Sequence, residues 1–358
     1  MLRRAISLAG HVETFALESE VLRGNRLRDP HRRDVTVYLP PEYAREPGRH
    51  FPVFVDLVGF FGTGRAHTGW KAFEENVPLR LERLVREKRM GPVIAVFPDC
   101  WTRLGGNQYI NSSATGRYAD YILREILPEI DARYRTFGTP RRRAVFGKSS
   151  GGYGAIVHGM KYARHWGAVA CHSGDMGFDL CYRMDIPRVC NTLARHGRDV
   201  QRFLRAFYAK RKTGMDDSMT LMFIAMAASY DPDPDAKAGF HLPMNLRTGQ
   251  IDRRRWARWL THDPLRIVER ASAQRQLRSL AGIFFDCGNA DQFHLHFGAR
   301  SLHDRLSELG IPHRYEEFAD NHSSVDYRMD ESLPWLYRRI MSGRGGGDAP
   351  GRPAPPRR

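Results

Sequence analysis

Cysteine is scarce in this chain. The 358 residues contain five (Cys100, Cys171, Cys181, Cys190 and Cys287), odd in number and widely spaced, and none forms a C-x-x-C pair. That usage excludes a disulfide framework and offers no zinc-ligand spacing. A chain of this length builds a core that needs neither. Unpaired, scattered thiols fit a reducing compartment, so a cytoplasmic location is expected. Long apolar runs are missing too. No stretch approaches the roughly 18–20 consecutive apolar residues of a membrane-spanning helix, and no membrane partner is expected. The segment Met1–His11 carries two arginines but too short an apolar run for a secretory signal. Lysine is rare beside arginine: only Lys71, Lys88, Lys148, Lys161, Lys210, Lys212 and Lys237 stand among 56 basic residues.

What is abundant is positive charge, +16 net with a pI near 10.0. Such a balance invites a nucleic-acid reading. The charge is spread along the whole chain and is almost all arginine, a bias that a GC-rich coding sequence produces by itself. It bears on solubility and non-specific binding rather than on fold, and no specific nucleic-acid partner is expected. Hydrophobic residues at 42% and charged residues at 27% are ordinary for a globular protein.

Along the chain, β-branched and aromatic runs read as strands at Val12–Leu22, Asp34–Leu39, Phe51–Val58, Val93–Phe97, Arg143–Phe146, Gly167–Cys171, Gly282–Gly288 and His313–Phe318. Helical spacing of apolar residues appears over 76–88, Tyr118–Tyr134, Tyr153–Ala163, Gly298–Leu309 and Glu331–Met341. Strands alternating with helices imply a mostly parallel sheet with helices on both faces. The rhythm breaks between about 174 and 260, a helix-rich stretch with Val200–Arg211 and Ser218–Ala228, read as a cap inserted over the sheet edge of a single domain spanning 1–341. The tail from Ser342 to Arg358, rich in glycine, proline and arginine, is expected to be disordered. No internal repeat is present.

Gly147-Lys148-Ser149-Ser150-Gly151 matches G-x-S-x-G and lies between a predicted strand and a predicted helix. Small flanking residues let a serine occupy a sharp turn that pushes its hydroxyl out at the carboxyl edge of the sheet. The helix behind presents free N–H groups to a developing oxyanion. Such a serine needs a base, and the base needs an orienting acid. The chain order nucleophile, acid, histidine places the acid after a late strand and the histidine after the last one. Asp291 and His322 satisfy this. Asp175, which follows Cys171-His172-Ser173-Gly174, is the rival acid, and Asp286 lies inside its strand. Among the other histidines (His172, His294, His296, His313), His294-x-His296 has the spacing of a ligand pair but no third ligand nearby, so no metal site is expected. The oxyanion donors are expected at the N–H groups of Ser150 and Phe60, the latter in Val58-Gly59-Phe60 after the strand at 51–58. Trp101 and Tyr109, on the loop after Val93–Phe97, are candidates for lining the substrate pocket.

With these residues the chain resembles the putative esterase family of α/β-hydrolases, which includes esterase D, S-formylglutathione hydrolases, enterochelin esterases, feruloyl esterases and mycolyltransferases. The resemblance covers roughly residues 12–173 and 264–341 and rests on Val35–Tyr43, Gly147–Ala155, Gly288–Asp291 and the loop ending at His322. It implies the α/β-hydrolase fold and assigns the triad to Ser149, Asp291 and His322. Two departures stand out: Val58-Gly59 where members often have His-Gly, and Asp320-Asn321-His322 where they often have Gly-Gly-His. The expected function is cleavage of a small-molecule carboxylic ester or thioester through an acyl-serine, with no cofactor. An acyltransferase on the same scaffold and a non-catalytic binding protein with a basic surface are the alternatives. The sequence carries no signal for oligomeric state.

Overall fold

The computed structural model describes residues 7–342, so the tail beyond Ser342 lies outside the described residues. Eight strands form the central sheet: β1 (His11–Glu18), β2 (Arg32–Leu39), β3 (Val53–Leu57), β4 (Ile94–Pro98), β5 (Arg143–Lys148), β6 (Ala168–His172), β7 (Gly282–Gly288) and β8 (Arg314–Phe318). Their spatial order is β1-β2-β4-β3-β5-β6-β7-β8. Strand β2 runs antiparallel to β1 and β4; every pairing from β4 through β8 is parallel. This is the mostly parallel sheet of the α/β-hydrolase fold, with an antiparallel edge hairpin.

Each inner strand is buried on both sides because its alternate residues enter two separate layers. In β5, Ala144 and Phe146 face a layer that holds Phe54, Ala95 and Phe284. That layer is closed by α1 (Val77–Arg86) and, at the chain's end, by α10 (Met329–Met341). Val145 faces the other layer with Val55, Val96, Val169 and Phe285. That side is covered by α2 (Leu127–Arg133), α3 (Ser150–Tyr162) and the helices between β6 and β7. Local chemistry sets the helix boundaries. Asn76 caps α1 by accepting from the Leu79 N–H at 3.0 Å, and Pro78 occupies its first turn. Helix α3 begins at Ser150, three residues before the periodicity predicts, because Gly151 and Gly152 hide the start from propensity alone.

Between β6 and β7 run α4 (Ile186–Ala194), α5 (Val200–Ala209), α6 (Met215–Tyr230), α7 (Arg253–Leu260) and α8 (Ala271–Ser279). Helix α6 is buried over nearly its whole circumference. These helices join the body through an aromatic cluster in which Phe178, Tyr182, Tyr230 and Trp259 pack with Tyr153 of α3, ring centroids 4.7–6.1 Å apart. The inserted helices therefore share the core of the helix behind Ser149. A further helix, α9 (Leu295–Glu308), follows β7. Among the described residues no helix is long and apolar enough to cross a membrane.

Candidate active site

Ser149 occupies the single residue between β5 and α3, with φ 57° and ψ −124°. A non-glycine residue rarely adopts such angles, and they persist only where surrounding structure imposes them. Here the Ser149 N–H donates to the His172 carbonyl at 2.9 Å, and its own carbonyl accepts from the Tyr153 N–H at 2.8 Å. The two glycines of the motif are required by crossing backbones. A methyl group on Gly147 would stand 2.3 Å from the Leu57 carbonyl oxygen, and one on Gly151 only 1.7 Å from it. The chain leaving β3 thus runs directly against the turn. Gly59 continues that approach, and a methyl there would lie 3.5 Å from the Ser149 Cβ.

Phe60 therefore follows a residue already beside Ser149. Among the described residues its N–H has no acceptor. The Ser150 N–H, at the first position of α3, has no intrahelical acceptor and lies at the positive end of the helix. Both residues named from the sequence thus stand beside Ser149 along the chain, with N–H groups that have no acceptor among the described residues.

Asp291 follows β7 and His322 follows β8, at the same carboxyl edge of the sheet as Ser149. The Asp291 Oδ2 and the His322 Nδ1 are 2.8 Å apart. The other carboxylate oxygen accepts from the Phe293 N–H at 2.8 Å. Burial alone would raise the Asp291 pKa. The bond and charge of His322, with the N–H groups of Phe293 and Leu295, outweigh it and hold the carboxyl below its usual value. His322 is fixed further: its N–H donates to Gln292 Oε1 at 3.0 Å, and the Phe293 ring meets it edge-on at 4.8 Å. Among the described residues its Nε2 is unpartnered. The Ser149 hydroxyl makes no hydrogen bond among the described residues, so Ser149 and His322 are joined by location on one edge rather than by a formed contact. In unliganded enzymes such bonds are often long and tighten on binding.

Asp175, the rival acid, is engaged elsewhere. Its Oδ2 accepts from the Tyr182 hydroxyl at 2.8 Å and from Gln108 Nε2 at 3.2 Å, and burial pushes its pKa up. Asp286 binds His172 at 2.7 Å and Arg328 at 2.9 Å inside the core. The two aromatic residues expected to line the pocket are placed otherwise. Tyr109 is buried, and its hydroxyl donates to the Val58 carbonyl at 2.6 Å. It braces the loop beside Ser149 from within. Trp101 lines a cavity of about 470 Å³ with Asp29, Arg33, Thr63, Arg103 and Tyr208, near the ends of β2 and β4. None of Ser149, Asp291 and His322 lines that cavity. The reason is local: Arg33 holds the Trp101 carbonyl at 2.8 Å and turns the loop toward β2.

Gln108 escaped the sequence reading. Its Nε2 reaches the Ser150 hydroxyl at 2.9 Å as well as Asp175, linking the residue after the serine to the inserted helices. The only sequence signal was its place beside Tyr109. Among the described residues, no group of three or more histidine, cysteine or acidic side chains is arranged to hold a metal ion.

The family described as Putative esterase matches residues 28–330. Two curated relatives, Esterase Rv1288 and Esterase MT1326 from Mycobacterium tuberculosis strains, are each 35% identical over 146 residues, 39% of this chain. The match spans 28% of their own length. Among solved structures, a ferulic acid esterase superposes with a TM-score of 0.60 at 20% identity, covering 93% of this chain and 100% of the other. The S-formylglutathione hydrolase of Agrobacterium tumefaciens gives 0.54 at 16% identity, covering 95% and 99%. FphF, a fluorophosphonate-binding serine hydrolase of Staphylococcus aureus, gives 0.57 at 13%, covering 93% and 99%. At these identities the structures speak for the α/β-hydrolase fold, whereas the family match extends over most of the sequence and takes in all the residues just described. The chain belongs to the putative esterase family.

Proposed function

We propose that this protein is a serine esterase that hydrolyses a small-molecule carboxylic ester or thioester, with Ser149 as nucleophile, His322 as general base and acid, and Asp291 as the group that orients His322. The observation that carries this reading is the 2.8 Å contact between Asp291 and His322 Nδ1 at the sheet edge where Ser149 sits on its strained turn. An Nδ1–H held by a carboxylate leaves the Nε2 lone pair free to accept the Ser149 proton.

In the acylation step Ser149 Oγ attacks the carbonyl carbon while its proton passes to His322 Nε2. The tetrahedral oxyanion is held by the N–H groups of Ser150 and Phe60. Collapse breaks the ester bond, and His322 returns the proton to the departing alcohol or thiol. Water then attacks the acyl-serine, giving its proton to His322, and the second collapse releases the acid and restores the Ser149 hydroxyl. The relatives' names support the ester as the bond cleaved. Five free, buried thiols support the reducing cytoplasm as the setting. Rapid quenching during turnover of p-nitrophenyl acetate, followed by intact-mass measurement, tests the scheme: an acetylated protein that disappears on further incubation supports it. Turnover without any acetylated species contradicts it.

A further inference from the structure

Lys148 fills a variable position of the motif, immediately before Ser149. Its side chain is largely buried, and its Nζ lies 3.6 Å from Asp326 Oδ1. The other oxygen of the same carboxylate takes Lys71 Nζ at 2.9 Å, and Lys71 also stands 3.6 Å from Glu74. Lys71 belongs to the long loop after β3, the one that carries Phe60. That loop is pinned back onto its own strand by His67, whose Nδ1 is 2.6 Å from Asp56 Oδ2. Asp326 stands four residues after His322. One carboxylate thus touches the serine turn, the Phe60 loop and the histidine loop.

The histidine loop needs such an anchor. Asn321, Ser323, Ser324 and Tyr327 are exposed, and its buried points are His322 and Val325. The Asp291 bond fixes the imidazole from the β7 side, and Arg328 ties the end of the loop to Asp286 at 2.9 Å. Nothing else in the loop reaches the serine turn by a charged contact. Exposed ion pairs contribute little, but a carboxylate whose side chain is only 15% exposed cannot lose its partners cheaply. Burial would raise the Asp326 pKa; Lys148, His67 and Lys71 outweigh it and hold the carboxyl well below its usual range.

We infer that Asp326 is a positioning residue that sets the His322 loop in register with the Ser149 turn and the Phe60 loop by bridging Lys148 and Lys71. This rests on the esterase reading above. A shift of about 1 Å between reacting groups can cost about a hundredfold in rate. The bridge therefore acts on the chemical step and leaves substrate affinity alone.

The test compares Asp326→Asn, Asp326→Glu and Lys148→Met with the wild type and with Ser149→Ala, measuring kcat and KM on p-nitrophenyl acetate beside the melting temperature. Asp326→Asn should lower kcat about 10- to 100-fold at a temperature where it is fully folded, with KM within about twofold. Asp326→Glu, which keeps the charge, should recover part of the loss. A folded Asp326→Asn with wild-type kcat overturns the inference, as does a loss that appears only in KM. Should Asp326→Asn fail to fold, Lys148→Met decides, because it leaves the Lys71 bridge intact: a fall in kcat supports the inference and an unchanged kcat refutes it. Activity surviving in Ser149→Ala would instead bring down the esterase reading itself.

Discussion

Replacing Asp291 by asparagine probes the acid of the site with almost no change of shape. One carboxylate oxygen accepts from the Phe293 N–H at 2.8 Å, and the other faces His322 Nδ1 at 2.8 Å. An asparagine at this position keeps its carbonyl oxygen toward the backbone donor, since an amide nitrogen there would meet an N–H. The amide NH₂ is then turned toward His322 and makes Nδ1 an acceptor. The ring proton moves to Nε2, the nitrogen that must take the proton from Ser149. In a protease triad the same tautomer reversal lowers turnover by about ten-thousand-fold, equivalent to about 5 kcal/mol in the barrier. Asp291→Asn should therefore lose kcat by three to four orders of magnitude on p-nitrophenyl acetate, with KM and the melting temperature little changed. Asp175→Asn should cost far less, because that carboxylate is bound by Tyr182 and Gln108. If Asp291→Asn retained kcat within about tenfold of wild type, the tautomer argument would fail. A larger loss in Asp175→Asn would move the role of acid to that residue.

Three further outcomes follow from the geometry. Gly151→Ala should yield no stably folded protein in thermal melts, since its methyl would stand 1.7 Å from backbone that cannot move aside. Trp101→Ala should leave kcat/KM on small esters within about twofold of wild type, because its cavity lacks Ser149, Asp291 and His322; a large loss would bring that cavity into the reaction. His158 is fully buried, donates to the Tyr109 carbonyl at 2.9 Å, and burial lowers its pKa to about 4. It stays neutral in the folded chain while the unfolded chain takes up a proton below the ordinary histidine value of about 6.5. Its contribution to stability is therefore full above that value and falls by up to about 1.4 kcal/mol per pH unit down to pH 4. Urea melts at pH 7, 5.5 and 4.5 should show this slope in the wild type and a shallower one in His158→Gln.

Much of the site was legible because its constraints are local. A strand, G-x-S-x-G and a helix are contiguous, and the chain order of the acid and the histidine follows from the order of the last strands. What could not be read depends on where a loop turns. Trp101 and Tyr109 sit eight residues apart on one loop; one is pulled toward β2 by Arg33, and the other is drawn inward to the Val58 carbonyl. Neither direction is encoded in the loop's own residues. The α3 boundary was hidden for a different reason. Gly151 and Gly152 are poor helix formers, present because backbone passes against them, that of Leu57 in β3 at Gly151 and that of His172 in β6 at Gly152. The Asp326 bridge joins residues 71, 148 and 326, whose pairing exists only after the sheet has brought three loops to one edge. The inserted helices were visible as a break in rhythm, but α4, α7 and α8 were not individually predicted, and the largely apolar α6 makes sense only once its burial is seen.

The most direct test of the central claim is the site of fluorophosphonate attachment. Wild-type protein should take up one equivalent of probe, and fragment masses should place it on Ser149 rather than on the neighbouring Ser150. Ser149→Ala should melt at the wild-type temperature and take up none. Labelling that persists in folded Ser149→Ala, or an adduct mapped to another residue, would contradict the assignment of Ser149 as the nucleophile.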